Sequence, residues 1–120
     1  MSPPGTLAGR HVLIVEDDFF LAEELTATLE AAGAHVVGPA ATLRDAMALI
    51  ARTQRLDGAL LDVDLQGEMS FPVVDALRAR GIPAAFVSGY DRAAIPERYA
   101  DIQLCEKPVS PERCARALFG

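Results

Sequence analysis

The strongest constraint in this sequence is a series of short apolar runs, continuous rather than alternating, each followed by a stretch of helical periodicity. The runs are Val12-Leu13-Ile14-Val15, Val36-Val37, Ala59-Leu60-Leu61, Ala84-Ala85-Phe86-Val87 and a weaker fifth, Ile102-Gln103-Leu104-Cys105. A strand that is apolar at every position must be covered on both faces, as in a parallel sheet. The first, third and fourth runs have that character. Leu21, Leu25 and Leu29 repeat at helical spacing before Gly33, and Leu43, Met47 and Ile50 do the same after Thr42, a good N-cap. Val73, Val74 and Leu77 make a third stripe closed by Gly81 and Pro83, and Ser110-Pro111-Glu112 opens a last helix. Pro96 interrupts the segment 91–100, so that helix is expected to be short or irregular. Alternating strands and helices predict an α/β fold, a doubly wound parallel sheet of five strands with helices on both faces.

The chain is 120 residues long, the size of one domain, with 51% hydrophobic and 23% charged residues. That composition favours a compact soluble domain over a disordered segment. Residues 1–10 read as a flexible lead-in and 11–120 as the domain. No stretch has the roughly 20 apolar residues of a membrane span, and the start lacks the basic and apolar regions of a signal peptide, so a cytoplasmic protein without membrane contact is expected. A formal net charge of -6 opposes binding to a phosphate backbone, and no nucleic-acid partner is expected. Cys105 and Cys114 lack metal-ligand spacing. A reduced pair is the plain reading, a redox pair the alternative. His11 and His35 fall at strand starts and receive no role.

In a doubly wound sheet, ligands collect beyond the carboxyl ends of the strands. There the sequence places Glu16-Asp17-Asp18 after strand one, Asp62-Val63-Asp64 after strand three, Ser88-Gly89-Tyr90 after strand four and Glu106-Lys107-Pro108 after strand five. Converging carboxylates repel: two unit charges about 4 Å apart cost about 4 kcal/mol at an effective dielectric near 20. A hard divalent cation removes that cost, and Mg²⁺ prefers oxygen ligands. With a lysine and a hydroxyl added, the site suits a phosphoryl group, and an aspartate is itself a possible nucleophile. Asp18 alone reads as a helix cap.

This arrangement resembles the receiver domain of response regulators in two-component signalling, over nearly the whole chain. The resemblance implies a CheY-like, flavodoxin-like strand order 2-1-3-4-5. It implies Asp62 as phosphoacceptor, with Asp17 and Asp62 on Mg²⁺, Glu16 acting through water and the Asp64 backbone carbonyl completing the set. Ser88 and Lys107 would contact the phosphoryl oxygens, and the Lys107-Pro108 bond would be cis. The implied partners are a sensor histidine kinase or a histidine phosphotransfer protein, with an unknown downstream protein. The implied role is signalling and not enzymatic turnover. Pro83-Ala84-Ala85-Phe86-Val87-Ser88-Gly89-Tyr90-Asp91 is similar to the FAT GUY subgroup, with Ser88 where that motif has threonine. Leu104 stands where ordinary receivers carry a switch aromatic, and Tyr90 is the candidate replacement. Two alternatives stay open: an aspartate-nucleophile phosphatase of the haloacid dehalogenase type, using Asp62 and Asp64, and a pseudo-receiver that binds partners without phosphorylation.

Overall fold

The computed structural model describes residues 6–87, 95–105 and 109–120. In chain order the elements are β1 (His11–Val15), α1 (Phe19–Ala31), β2 (His35–Ala40), α2 (Leu43–Arg52), β3 (Gly58–Leu61), β4 (Asp64–Leu65), β5 (Glu68–Met69), α3 (Phe71–Ala79), β6 (Ala84–Val87), a 3-10 turn (Glu97–Tyr99), β7 (Gln103–Cys105) and α4 (Pro111–Phe119). Five strands form one parallel sheet in the order β2-β1-β3-β6-β7. Counted without the β4–β5 hairpin, this is the expected order 2-1-3-4-5. No described helix is long and apolar enough to cross a membrane.

The central strands carry the packing. Alternation along β1 sends Leu13 and Val15 to one side, where Leu61 of β3 and Phe86 of β6 join α2 and α3 through Ala46, Ile50, Val73, Val74 and Leu77. Val12 and Ile14 face the other way, with Leu60, Ala85 and Val87, against Leu25 and Leu29 of α1 and Leu118 of α4. This two-sided burial is why those strands read as unbroken apolar runs. The outer strand β2 is only partly covered, which explains its weaker signal.

Local sequence fixes the helix ends. Asp18 caps α1, its carboxylate accepting the Phe20 and Leu21 amides, and Thr42 and Ser110 cap α2 and α4. Gly33 and Gly81 follow α1 and α3 with positive φ of 96° and 69°. Two expected stripes shift. In α1 the buried residues are Ala22, Leu25 and Leu29, with Leu21 half-buried, and in α2 they are Ala46 and Ile50, while Met47 is 37% exposed.

Two features have no counterpart in the sequence reading. The β4–β5 hairpin turns on Gln66 and Gly67, both with positive φ (55° and 91°), a two-residue primed turn. Within the segment read as a loose lead-in, Leu7 is fully buried and its amide donates to the Ala32 carbonyl at 2.9 Å. The described part of 91–100 is the 3-10 turn after Pro96, in line with a short, irregular element.

The shifted stripes make a direct test. Leu29→Ala is expected to cost about 2–5 kcal/mol, and Met47→Ala within about 0.5 kcal/mol of zero, measured by urea denaturation. A large loss at Met47 would contradict the packing described.

Candidate functional site

At the carboxyl edge of the sheet, β1 and β3 lie side by side, with Val15 opposite Leu61. The residues that follow are held by the same ladder. The Asp62 amide donates to the Val15 carbonyl at 2.9 Å. A register shift between β1 and β2 sets Val15 opposite Ala40, whose carbonyl accepts the Glu16 amide at 2.9 Å. Backbone pairing thus fixes both residues before their side chains make any contact.

Carboxylate oxygens of Glu16, Asp17 and Asp62 all lie within 4.8 Å of one another. Glu16 is 2% exposed, while Asp17 and Asp62 are half-buried. One Glu16 oxygen, Oε2, accepts the Asp18 amide at 3.1 Å. The other, Oε1, is buried with no hydrogen-bond partner. Buried carboxylate oxygens without donors are costly and need explanation. Hard oxygen donors, charge in excess and an orphaned acceptor fit a small divalent cation such as Mg²⁺.

The electrostatics agree. Burial first, then the charge of Asp62 and the closeness of the Asp17 and Asp62 carboxyls, push the Glu16 carboxyl from 4.5 up to about 7, although the Asp18 amide pulls it down. Burial also raises Asp62, with the charge of Asp17 adding to it. Opposing that rise, neighbouring Glu16 and the nearby Asp64 and Val63 amides favour the charged form of Asp62. Without a cation, both Glu16 and Asp62 therefore bind a proton more readily than a carboxyl in water does.

The sequence-derived candidates sort clearly. Glu16, Asp17 and Asp62 come together. The carboxylate of Asp64 does not join them: it accepts the Gly67 amide at 2.6 Å and braces the β4–β5 turn. Ser88, Tyr90 and Lys107, with the Lys107-Pro108 bond, lie outside the described residues. Their flanks are placed, because Val87 ends β6 and Cys105 ends β7, adjacent strands of the sheet. Leu104 is half-buried against the α2–α3 side of the core. Sequence reasoning missed the amide donors of Val63 and Asp64, for which no side-chain pattern gives a signal. It also missed an aromatic stack in which Phe86 meets Phe71 edge-on at 6.1 Å and Phe71 lies flat on Tyr99 at 4.7 Å. The Tyr99 hydroxyl donates to the Asp75 carboxylate at 3.1 Å, and Arg98 donates to the same hydroxyl.

Comparison with known proteins decides the family. Residues 12–118 match the response regulator receiver domain. The chain belongs to that family. The receiver is 31% identical over 104 residues to the phyllosphere-induced regulator PhyR of Methylorubrum extorquens, an alignment covering 84% of this chain and 39% of PhyR. The chain thus spans about two fifths of that relative. The solution structure of SdrG from Sphingomonas melonis Fr1 is 36% identical, with a TM-score of 0.78, covering 90% of this chain and 92% of SdrG. The BeF3-activated conformation of SdrG is 34% identical, with a TM-score of 0.74, covering 92% of this chain and 93% of that one.

A pH dependence follows from the raised carboxyls. In the folded, metal-free receiver Glu16 binds its proton more tightly than in the unfolded chain, so this contribution is full below pH 4.5 and is lost as pH rises through about 7. Urea midpoints in chelator should show wild type losing stability relative to Glu16→Gln across that window. Parallel curves for the two proteins would contradict the raised Glu16 carboxyl.

Proposed function

We propose that this receiver is a phosphoacceptor switch: Asp62 takes a phosphoryl group from a phosphohistidine donor and the product re-sets a partner-binding surface. The observation that carries the reading is the buried, unpartnered Glu16 Oε1 beside Asp17 and Asp62. Asp17 and Asp62 would hold Mg²⁺ directly, Glu16 through water, and the Asp64 backbone carbonyl would complete the set. When bound, Mg²⁺ supplies positive charge against the oxygens of the transferring group.

The chain's own residues do the rest. A carboxylate oxygen of Asp62 attacks phosphorus in line, the bond to the donor imidazole nitrogen breaks, and an aspartyl phosphate results. The Val63 and Asp64 amides orient the Asp62 carboxylate for that attack. Lys107, two residues beyond β7, would place its ammonium on the phosphoryl oxygens, and Ser88, directly after β6, its hydroxyl. The product carries one more negative charge than the carboxylate it replaces, and the Ser88 hydroxyl and following loop are drawn toward it. Tyr90 takes the coupling role that Leu104 cannot fill. The phosphodonor is a sensor histidine kinase or a histidine phosphotransfer protein, and the setting is the cytoplasm. Similarity to SdrG, for which a BeF3-activated conformation exists, supports this reading.

Receiver domains are in general signalling modules. One Asp64 carboxylate oxygen accepts the Gly67 amide, which favours a turn-bracing role for Asp64 over that of a phosphatase's general acid. Incubation with acetyl phosphate and Mg²⁺ is expected to add one phosphoryl group by intact mass, lost in Asp62→Asn and in chelator. Ser88→Ala should still accept the group yet lose most of the accompanying spectral change. Retained labelling in Asp62→Asn would overturn the assignment. Turnover of a simple phosphate ester that vanishes in Asp64→Asn would favour the phosphatase instead.

A further inference from the structure

Beside the outer strand β2, helix α1 leaves an apolar stripe uncovered. Phe19 and Phe20 are 65% and 79% exposed, more than any other large apolar side chain among the described residues, and their rings meet edge-on at 5.6 Å. Phe19, Ala22 and Ala27 line a cleft of about 330 Å³ together with Pro39 of β2, and Glu23, Thr26 and Glu30 complete it. Steps of three and four residues from Phe19 to Glu30 keep these positions on one face along the helix. The Thr26 hydroxyl donates to the Ala22 carbonyl at 2.8 Å, so it is already satisfied within α1. The charge in the cleft is therefore two exposed carboxylates, Glu23 and Glu30, about 10 Å apart along the helix axis. Neither joins an ion pair among the described residues, whereas Asp57, Asp75 and Asp101 each meet an arginine. No Lys or Arg occurs in α1.

We propose that this cleft docks an amphipathic helix of a partner protein, its apolar residues against Phe19, Ala27 and Pro39 and its Lys or Arg side chains on Glu23 and Glu30. This goes beyond phosphoryl transfer and does not depend on it. A contiguous exposed apolar patch rimmed by charge marks an interaction surface, which scattered single residues do not. The apolar contact supplies affinity, and the two unpaired carboxylates select the sign of the partner's charge and its register. The stripe runs nearly the 13 residues of α1, which suits a partner helix of similar length. β2 lies at the opposite edge of the sheet from β7, so the cleft is set apart from the strand that leads to Lys107.

The charge pattern rejects other occupants. A second copy would bring its own Glu23 and Glu30 against the same stripe, which has no cation to offer in return. Anionic lipid and nucleic acid are repelled for the same reason. Strand addition to the edge of β2 is poorly served, because Pro39 lacks an amide hydrogen and proline blunts an edge strand. A basic helix meets both the apolar and the acidic parts of the cleft.

The test uses the whole chain and a synthetic, stapled helix of about fourteen residues with a leucine stripe flanked by lysines, compared with the same helix carrying glutamates. Amide NMR titrations are run in chelator, without phosphodonor, so failure of docking and failure of the phosphoacceptor reading are separately visible. The lysine helix should shift the Phe19, Glu23, Ala27, Glu30 and Ala40 amides saturably and bind at least about tenfold more tightly than the glutamate helix. Phe19→Ala, at an exposed position, should weaken that binding by at least about tenfold while acetyl phosphate still labels the protein. Glu23→Lys combined with Glu30→Lys should exchange the preference between the two helices. No binding of the lysine helix, equal binding of both, shifts centred elsewhere, or an unchanged preference in the reversed variant would overturn the proposal. Concentration-dependent shifts of the same amides without peptide would overturn it in favour of a second copy.

Discussion

A carboxylate kept out of water beside two others is the constraint around which this receiver is arranged. Glu16 is held there by backbone pairing, its amide on the Ala40 carbonyl, while Asp62 is held by its amide on Val15. Neither backbone position can shift without breaking the central ladder. Without a cation, burial and then the charge of Asp62 push Glu16 up to about 7. The site is therefore built at a cost in stability that a divalent cation would offset, and that cost is what leaves the site ready to bind one.

The fold pays attention to both sides of the sheet because the sheet must present that edge rigidly. Leu13, Val15, Leu61 and Phe86 lock one face to α2 and α3, and Val12, Ile14, Leu60 and Val87 lock the other to α1 and α4. The aromatic stack from Phe86 through Phe71 to Tyr99 continues the first of these faces outward, from the strand that ends just before Ser88 to the 3-10 turn. Asp75 and Arg98 then anchor the Tyr99 hydroxyl, so the far end of the stack is fixed by polar contacts on α3 and the turn.

Much of this was legible in the sequence because burial on both faces leaves a distinctive trace. β1, β3 and β6 read as unbroken apolar runs, and the acidic residues after β1 and β3 stood where ligands gather. The caps at Asp18, Thr42 and Ser110 were equally plain. Other features left weaker traces. Met47 looked like a core residue because a four-residue step was read from Leu43, whereas the buried face of α2 runs through Ala46 and Ile50. The β4–β5 hairpin was missed because only Gly67 advertises a turn; Gln66 adopts a left-handed conformation without belonging to the residue types that favour it. Leu7 was isolated among turn-forming residues, and only its contact with the α1 side of the core gives it meaning. At the site, three carboxylates were found by position in the chain, but the amides that orient Asp62 belong to the backbone and carry no residue signature.

The central claim is that Glu16, Asp17 and Asp62 form one cation site beside a reactive aspartate. A two-dimensional amide NMR titration with Mg²⁺, followed by beryllofluoride, tests it most directly. The account predicts saturable shifts centred on Glu16, Asp17, Asp62 and the Val63 and Asp64 amides, then a second, wider set reaching Ser88 and Lys107 when the phosphoryl mimic is added. A spectrum unmoved by Mg²⁺, or shifts scattered over the acidic surface without a centre at these residues, would contradict it.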